Sequence, residues 1–242
     1  MHCPKCYSRK IKKNGFTHYG KQNHKCLECE RQFVKDTDHY ISSEKRLQIR
    51  RCLSERLSLC GICRIFKVSF TWLYNYAKQV WAEAPDSLGC KAAALEAESI
   101  EELQEISIQA DEVWTFCGQR LLKQWLWIAY DPWNRQVISY HLGDRSAKSA
   151  RALWNKLPVE WQDNCWFDTD DWKAYKKVIP CDRHFVSKAL TQRIERFNNT
   201  LRQRCSRLVR KTLSFSKCLR NHEAAIKYFF WQFNLEQQAL HL

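Results

Sequence analysis

Apolar and polar residues alternate along "EISIQADEVWTFC" (Glu105–Cys117), which predicts a strand with one face against a core. "QWLWIAYD" (Gln124–Asp131) and "QVISYHLG" (Gln136–Gly143) predict two more, joined by a turn at Asp131–Pro132–Trp133–Asn134. From Ser146 to Leu157 the period becomes helical, with Ala150, Leu153, Trp154 and Leu157 inward. "NCWFDTDDW" predicts a buried strand ending in acids and "RHFVSK" a fifth strand; a long helix starts near Ala189. A three-stranded meander followed by alternating helices and strands is the order of the ribonuclease H-like fold.

The N-terminal third follows other periods. "KIKKNGF" and "QNHKC" read as two strands around "HYGK", with Gly20 at the turn, and "RQFV" adds a third. Ser43 is the expected N-cap of "EKRLQIRRCLSERL". A helix over Gly61–Lys67, a tight turn at Val68–Ser69 and a helix over Thr71–Trp81 form a helix-turn-helix pattern. Ile62, Ile65, Phe66, Leu73 and Tyr76 would fill its core; Thr71, Asn75, Lys78 and Gln79 would face outward to DNA. The expected architecture is multidomain α+β and α/β: a zinc ribbon over 1–40, a helix-turn-helix region over 41–84, an acidic linker over 85–104, and a ribonuclease H-like domain over 105–242.

Charge narrows the partners. The 242 residues carry a net charge of +14, which favours a polyanion, nucleic acid first. Residues 1–84 hold 17 basic and 7 acidic side chains, and the basic ones crowd the cysteine pairs. No run of 18 apolar residues predicts a membrane span, and "MHCPKCYSRK" has no signal-peptide core, so a cytoplasmic location is expected. The cysteine count, 13, is odd, and a cytosolic chain keeps thiols reduced. Cys3 and Cys6, then Cys26 and Cys29, form two CxxC pairs 19 residues apart, the spacing of a four-cysteine zinc site.

The acids fall at telling places. Asp111 lies in the first strand of the meander, Asp170 at the exit of the fourth strand, and Glu195 on the helix after the fifth. Adjacent first and fourth strands would set Asp111 beside Asp170, and the crossing helix could deliver Glu195. Clustered carboxylates require a cation, and oxygen ligands suit Mg²⁺ or Mn²⁺. Ile194, Phe197, Leu201, Cys205 and Leu208 form the expected buried stripe of that helix, with Glu195, Asn198, Asn199 and Arg202 on an adjacent polar stripe. Arg196, Arg202, Arg204, Arg207, Arg210 and Lys211 are placed to hold phosphates. The plainer role for Glu195 is a surface ion pair with Arg193, Arg196 or Arg202.

"CPKC…CLEC" followed by "RQFV", with "ADEVWTF", "QWLWIAYD", "TDDWKAY" and "TQRIERFNNTLRQRCSRLVRKTLSFSK", resembles the transposases of the insertion sequence one family in their fused form. The resemblance spans nearly the whole chain. It implies a zinc ribbon and helix-turn-helix that bind terminal inverted repeats, a DDE catalytic domain with Asp111, Asp170 and Glu195 as its acids, and work as a homo-oligomer. The family usually has Gly after the second acid; here Asp171 stands there, so Asp170 and Asp171 compete. The other readings are a DNA-binding regulator built on residues 1–84 and a nuclease of the same fold without joining activity.

Overall fold

The computed structural model describes residues 1–18, 20–35, 41–119, 123–208 and 215–240. Arg210 and Lys211 lie outside the described residues. The chain divides into two compact units, 1–50 and 51–242.

In the first unit, β1 (Ile11–Phe16), β2 (Gln22–Cys26) and β3 (Gln32–Val34) form an antiparallel sheet in that order. Gly20, at φ +70°, closes the first hairpin with its N–H on the Thr17 carbonyl; a left-handed residue here suits glycine. Helix α1 (Ser43–Cys52) follows. Its cap is Ser42 and not Ser43: the Ser42 hydroxyl accepts from the Lys45 N–H at 3.2 Å.

The second unit begins with two capped helices. Ser58 accepts from Gly61 N and starts α2 (Leu59–Phe66); Ser69 accepts from Trp72 N and starts α3 (Phe70–Ala82). Lys67, left-handed at φ 52°, ends α2. Thr71, Asn75, Lys78 and Gln79 are outward, as expected. Ile65 is not inward: at 60% exposure it faces away from the Ile62 and Leu73 core. The Ser58 cap starts α2 two residues before the expected Gly61. Instead, Ala77, Val80 and Trp81 of α3 pack on Ala225 and Tyr228 of α10 (Leu219–Leu240).

Residues 85–104, the expected linker, carry α4 (Ala93–Glu96) and α5 (Ile100–Glu105), and Leu88, Ala92 and Ala94 are buried. Then come β4 (Ser107–Phe116), β5 (Lys123–Asp131), β6 (Gln136–Gly143), α6 (Ala147–Trp154), α7 (Val159–Asn164), β7 (Trp166–Thr169), α8 (Lys173–Lys176), β8 (His184–Val186) and α9 (Gln192–Arg204). The sheet runs β6-β5-β4-β7-β8. The meander β4–β5–β6 is antiparallel; β7 is parallel to both β4 and β8.

Strand alternation assigns each face its own helices. Ile108, Ala110, Trp127 and Ala129 face Ala150, Leu153 and Trp154 of α6. Val113, Leu126, Ile128 and Tyr130 face Ile194, Phe197 and Leu201 of α9, and Ile226, Phe229 and Phe230 of α10. Each such buried side chain contributes about 1.5–3 kcal/mol, so α10 is held firmly as a layer of the core. Asn234 adds polar stitching: it accepts from Val137 N at 2.8 Å and donates to the Val137 and Leu88 carbonyls.

Candidate active site

The parallel pairing of β4 with β7 sets Gln109 opposite Asp168. Asp111 lies two residues further along β4, and Asp170 directly follows the end of β7, with its charge acting on Asp111. Asp111 shares the face of Val113 and so turns towards α9. Helix α9 is fastened there by Gln109, whose Oε1 accepts from Ile194 N at 2.9 Å and whose amide donates to the Leu190 carbonyl. That fastening brings Asn198 onto Asp111: its Nδ2 donates to Oδ2 at 2.6 Å. Glu195 lies one turn earlier on the helix.

Burial pushes the Asp111 carboxyl up to about 7, and the charges of Glu112 and Asp170 add to it. The Glu112 N–H and Asn198 oppose the shift without cancelling it. Asn198 is itself 3% exposed, and its Oδ1 has no hydrogen-bond partner among the described residues. A buried acceptor without a donor beside two mutually repelling carboxylates is a donor set that fits a hard divalent cation. The carboxylates of Asp111, Asp170 and Glu195 are nevertheless not drawn into one tight cluster. Among the described residues, only the four cysteines near the N-terminus bring three or more metal-binding atoms within 4.8 Å of one another.

The neighbouring acids separate by their partners. Asp171 is exposed and ion-paired with Lys176, whereas Asp170 is half-buried and acts on Asp111. Asp168 is buried and accepts from the Ser107 hydroxyl. Glu112, on the opposite face, accepts from Arg145 at 2.6 Å and from the Tyr175 hydroxyl at 2.9 Å. Arg145 is sandwiched between Trp125 and Trp172, at 4.4 and 3.9 Å from the ring centres. This network was not foreseen from sequence. Among the described residues Glu195 makes no ion pair; its side chain accepts from Thr191 at 3.5 Å and is exposed. Arg193, one of the expected ion-pair partners, instead donates a hydrogen bond to the Pro132 carbonyl at 2.6 Å.

The family described as IS1 transposase matches residues 105–235. The chain belongs to the IS1 transposase family. The iso-IS1n protein InsB of Shigella dysenteriae is 40% identical over 122 residues, half of this chain and 91% of that protein. The IS1 protein InsB of Shigella flexneri is 36% identical over 124 residues, 51% of this chain and 93% of its own length. Both alignments cover about half of this IS1-family transposase.

The arginines of this IS1-family transposase are not equivalent. Arg196 is exposed and Arg202 half-exposed. Arg204, expected on phosphate, is held between Glu55 and Glu236, at 2.6 Å from each. Those carboxylates satisfy its fork, so it ties α9 to α10 and to the chain before α2. Arg207 lies over the Trp81 ring at 5.6 Å, and burial pulls its pKa down. In the first unit, Cys3, Cys6, Cys26 and Cys29 form a four-thiol group that could hold a metal ion. Hydrogen bonds from the backbone at Cys29, against the effect of burial, bring the Cys26 thiol down, whereas, against a hydrogen bond from the Ser8 backbone, burial and contacts with Cys29, Cys26 and Cys3 push Cys6 up. Cys26 is thus the thiol readiest to take the thiolate form that zinc binds. No described helix is long and apolar enough to cross a membrane.

Proposed function

We propose that this IS1-family member is a DNA transposase that binds the terminal inverted repeats of its element, cuts a strand at each end and joins the freed 3′-hydroxyl to target DNA. The observation that carries the reading is Asp111 on β4 under the charge of Asp170, which directly follows the parallel neighbour β7, beneath a helix that presents Glu195 and Asn198. The strand order β6-β5-β4-β7-β8 supports a ribonuclease H-like reading of the sheet.

Asp111, Asp170 and Glu195 would hold Mg²⁺ or Mn²⁺. When bound, the cation supplies Lewis-acid stabilisation of the charge developing on the phosphodiester. Asn198 orients Asp111 by its 2.6 Å hydrogen bond. Arg196 and Arg202 offer positive charge to the DNA backbone on the same helix. Residues 1–40 act as a zinc ribbon through Cys3, Cys6, Cys26 and Cys29, and residues 41–84 as a helix-turn-helix whose α3 turns Thr71, Asn75 and Lys78 towards DNA. Pairs or higher multimers bring two ends together.

Incubation with Mg²⁺ and a DNA carrying the element's own terminal repeat, followed by mapping of cut and joined ends, tests the reading. Binding without any cleavage by the intact, metal-loaded protein would leave a DNA-binding regulator. Cleavage without joining of precut ends would leave a nuclease.

A further inference from the structure

A buried indole donor and a half-buried arginine meet at one cavity. Trp81 is 3% exposed, and its indole Nε1–H has no acceptor among the described residues. The Arg207 guanidinium lies over the same indole, and the neighbours acting on its charge are Cys205 and Tyr74, neither a carboxylate. Arg204, three residues earlier, shows what a matched arginine in this region looks like. The buried Trp81 N–H left without an acceptor is unfavourable, and an anionic oxygen is a partner that would satisfy it and pair with the half-buried Arg207 charge.

Trp81 and Arg207 border a cavity of about 550 Å³, within the range of small-molecule sites. Phe70 and Tyr74, stacked at 6.0 Å, also border it, as do Lys217 and Asn221. No carboxylate lies among its described lining residues. Cations and an N–H donor call for phosphate; the exposed Phe70 ring, backed by the half-buried Tyr74, calls for a flat partner.

We propose that this cavity binds one unpaired nucleotide, its phosphate held by Arg207, Trp81 and Lys217 and its base against Phe70 and Tyr74. The ligand chemistry is a nucleoside phosphate, either free or as an unpaired position in a DNA strand. The strand source rests on the transposase reading; the cavity chemistry does not.

Cys60 and Cys218 are exposed and border the cavity, whereas Cys181 is exposed and does not. Their alkylation by iodoacetamide in the zinc-loaded full-length protein, followed by mass spectrometry, reads occupancy. A single-stranded thymidine trinucleotide should slow alkylation of Cys60 and Cys218 and leave Cys181 unchanged. Thymidine monophosphate should do the same, and inorganic phosphate at equal concentration should not. A lower midpoint for the trinucleotide assigns the strand; equal midpoints assign the free nucleotide. Arg207→Gln should raise the midpoint about tenfold or more, the loss of a charge-assisted contact. Trp81→Phe keeps an aromatic ring of smaller size and removes the donor, and Lys217→Gln changes an exposed position; each should raise the midpoint several-fold. No protection by either nucleotide, equal protection by phosphate, or an unchanged midpoint in all three variants overturns the proposal. Glu195→Gln protein should show undiminished protection, so loss of cleavage and loss of this site are separately read.

Discussion

At the scale of single residues, the carboxylates define the sharpest outcomes. Glu195→Gln, Asp111→Asn and Asp170→Asn should each leave DNA binding intact and lower cleavage by more than about a hundredfold, the upper range for losing a partner one layer further from a metal. Asn198→Ala, which removes the orienting bond and the unpaired Oδ1 acceptor but no charge, should lower cleavage by about 10- to 100-fold. Asp171→Asn should change little, because Asp171 is exposed and paired with Lys176. Gel-based cleavage of a terminal-repeat duplex measures all five. His222 supplies a pH outcome. It is fully buried, hydrogen-bonded to Thr115 and Ser216, and burial, with the Arg207 charge, pulls its pKa from 6.5 down to about 4. The unfolded chain therefore takes up the proton first, so the stability is whole above pH 6.5 and is lost as pH falls towards 4. The loss should reach about 3 kcal/mol, and a His222→Gln protein should show a flatter dependence in urea titrations between those pH values.

At the scale of elements, α9 holds Arg204 in protein contacts and, on the proposed function, offers Arg196 to DNA. Arg204→Gln should lower stability by about 1–2 kcal/mol, because Glu55 and Glu236 lose a charged partner. It should leave the salt dependence of DNA binding unchanged. Arg196→Gln should leave stability alone and reduce the salt slope by about one. Equal slopes for both variants would remove Arg196 from the DNA contact. Arg204's task was illegible in the sequence because its partners lie 149 and 32 residues away. The same distance problem hid Glu112, Arg145 and Tyr175. What depended on neighbours was legible: β6 runs over Gln136–Gly143 as its alternation predicts, and Ile194, Phe197, Leu201, Cys205 and Leu208 are all buried. Ile65 failed for a local reason: the buried stripe runs through Ile62 and, four residues on, the half-buried Phe66, which leaves Ile65 on its solvent-facing flank. Of the three acids, the nearness of Asp111 and Asp170 followed from strand order, whereas the Asn198 contact needed the depth at which Gln109 fastens α9.

At the scale of the whole molecule, metal and charge govern the two units differently. The four-thiol group predicts about one zinc per chain, and Cys3→Ser or Cys26→Ser should unfold residues 1–40, because binding the metal is part of folding such modules. Metal analysis of well-folded protein without zinc would contradict this. The net charge of +14 predicts DNA binding that weakens steeply with salt. Helix α10 has a further consequence. Its Ile226, Phe229 and Phe230 lie on the sheet that carries Asp111, and its Ala225 and Tyr228 lie on α3. On the proposed function, with α3 on the terminal repeat and the cut made beside β4, the protein carries a ruler of fixed length. One base pair inserted between the bound sequence and the cut bond should displace the cut by one position along the DNA, and the new cut should be as sharp as the old.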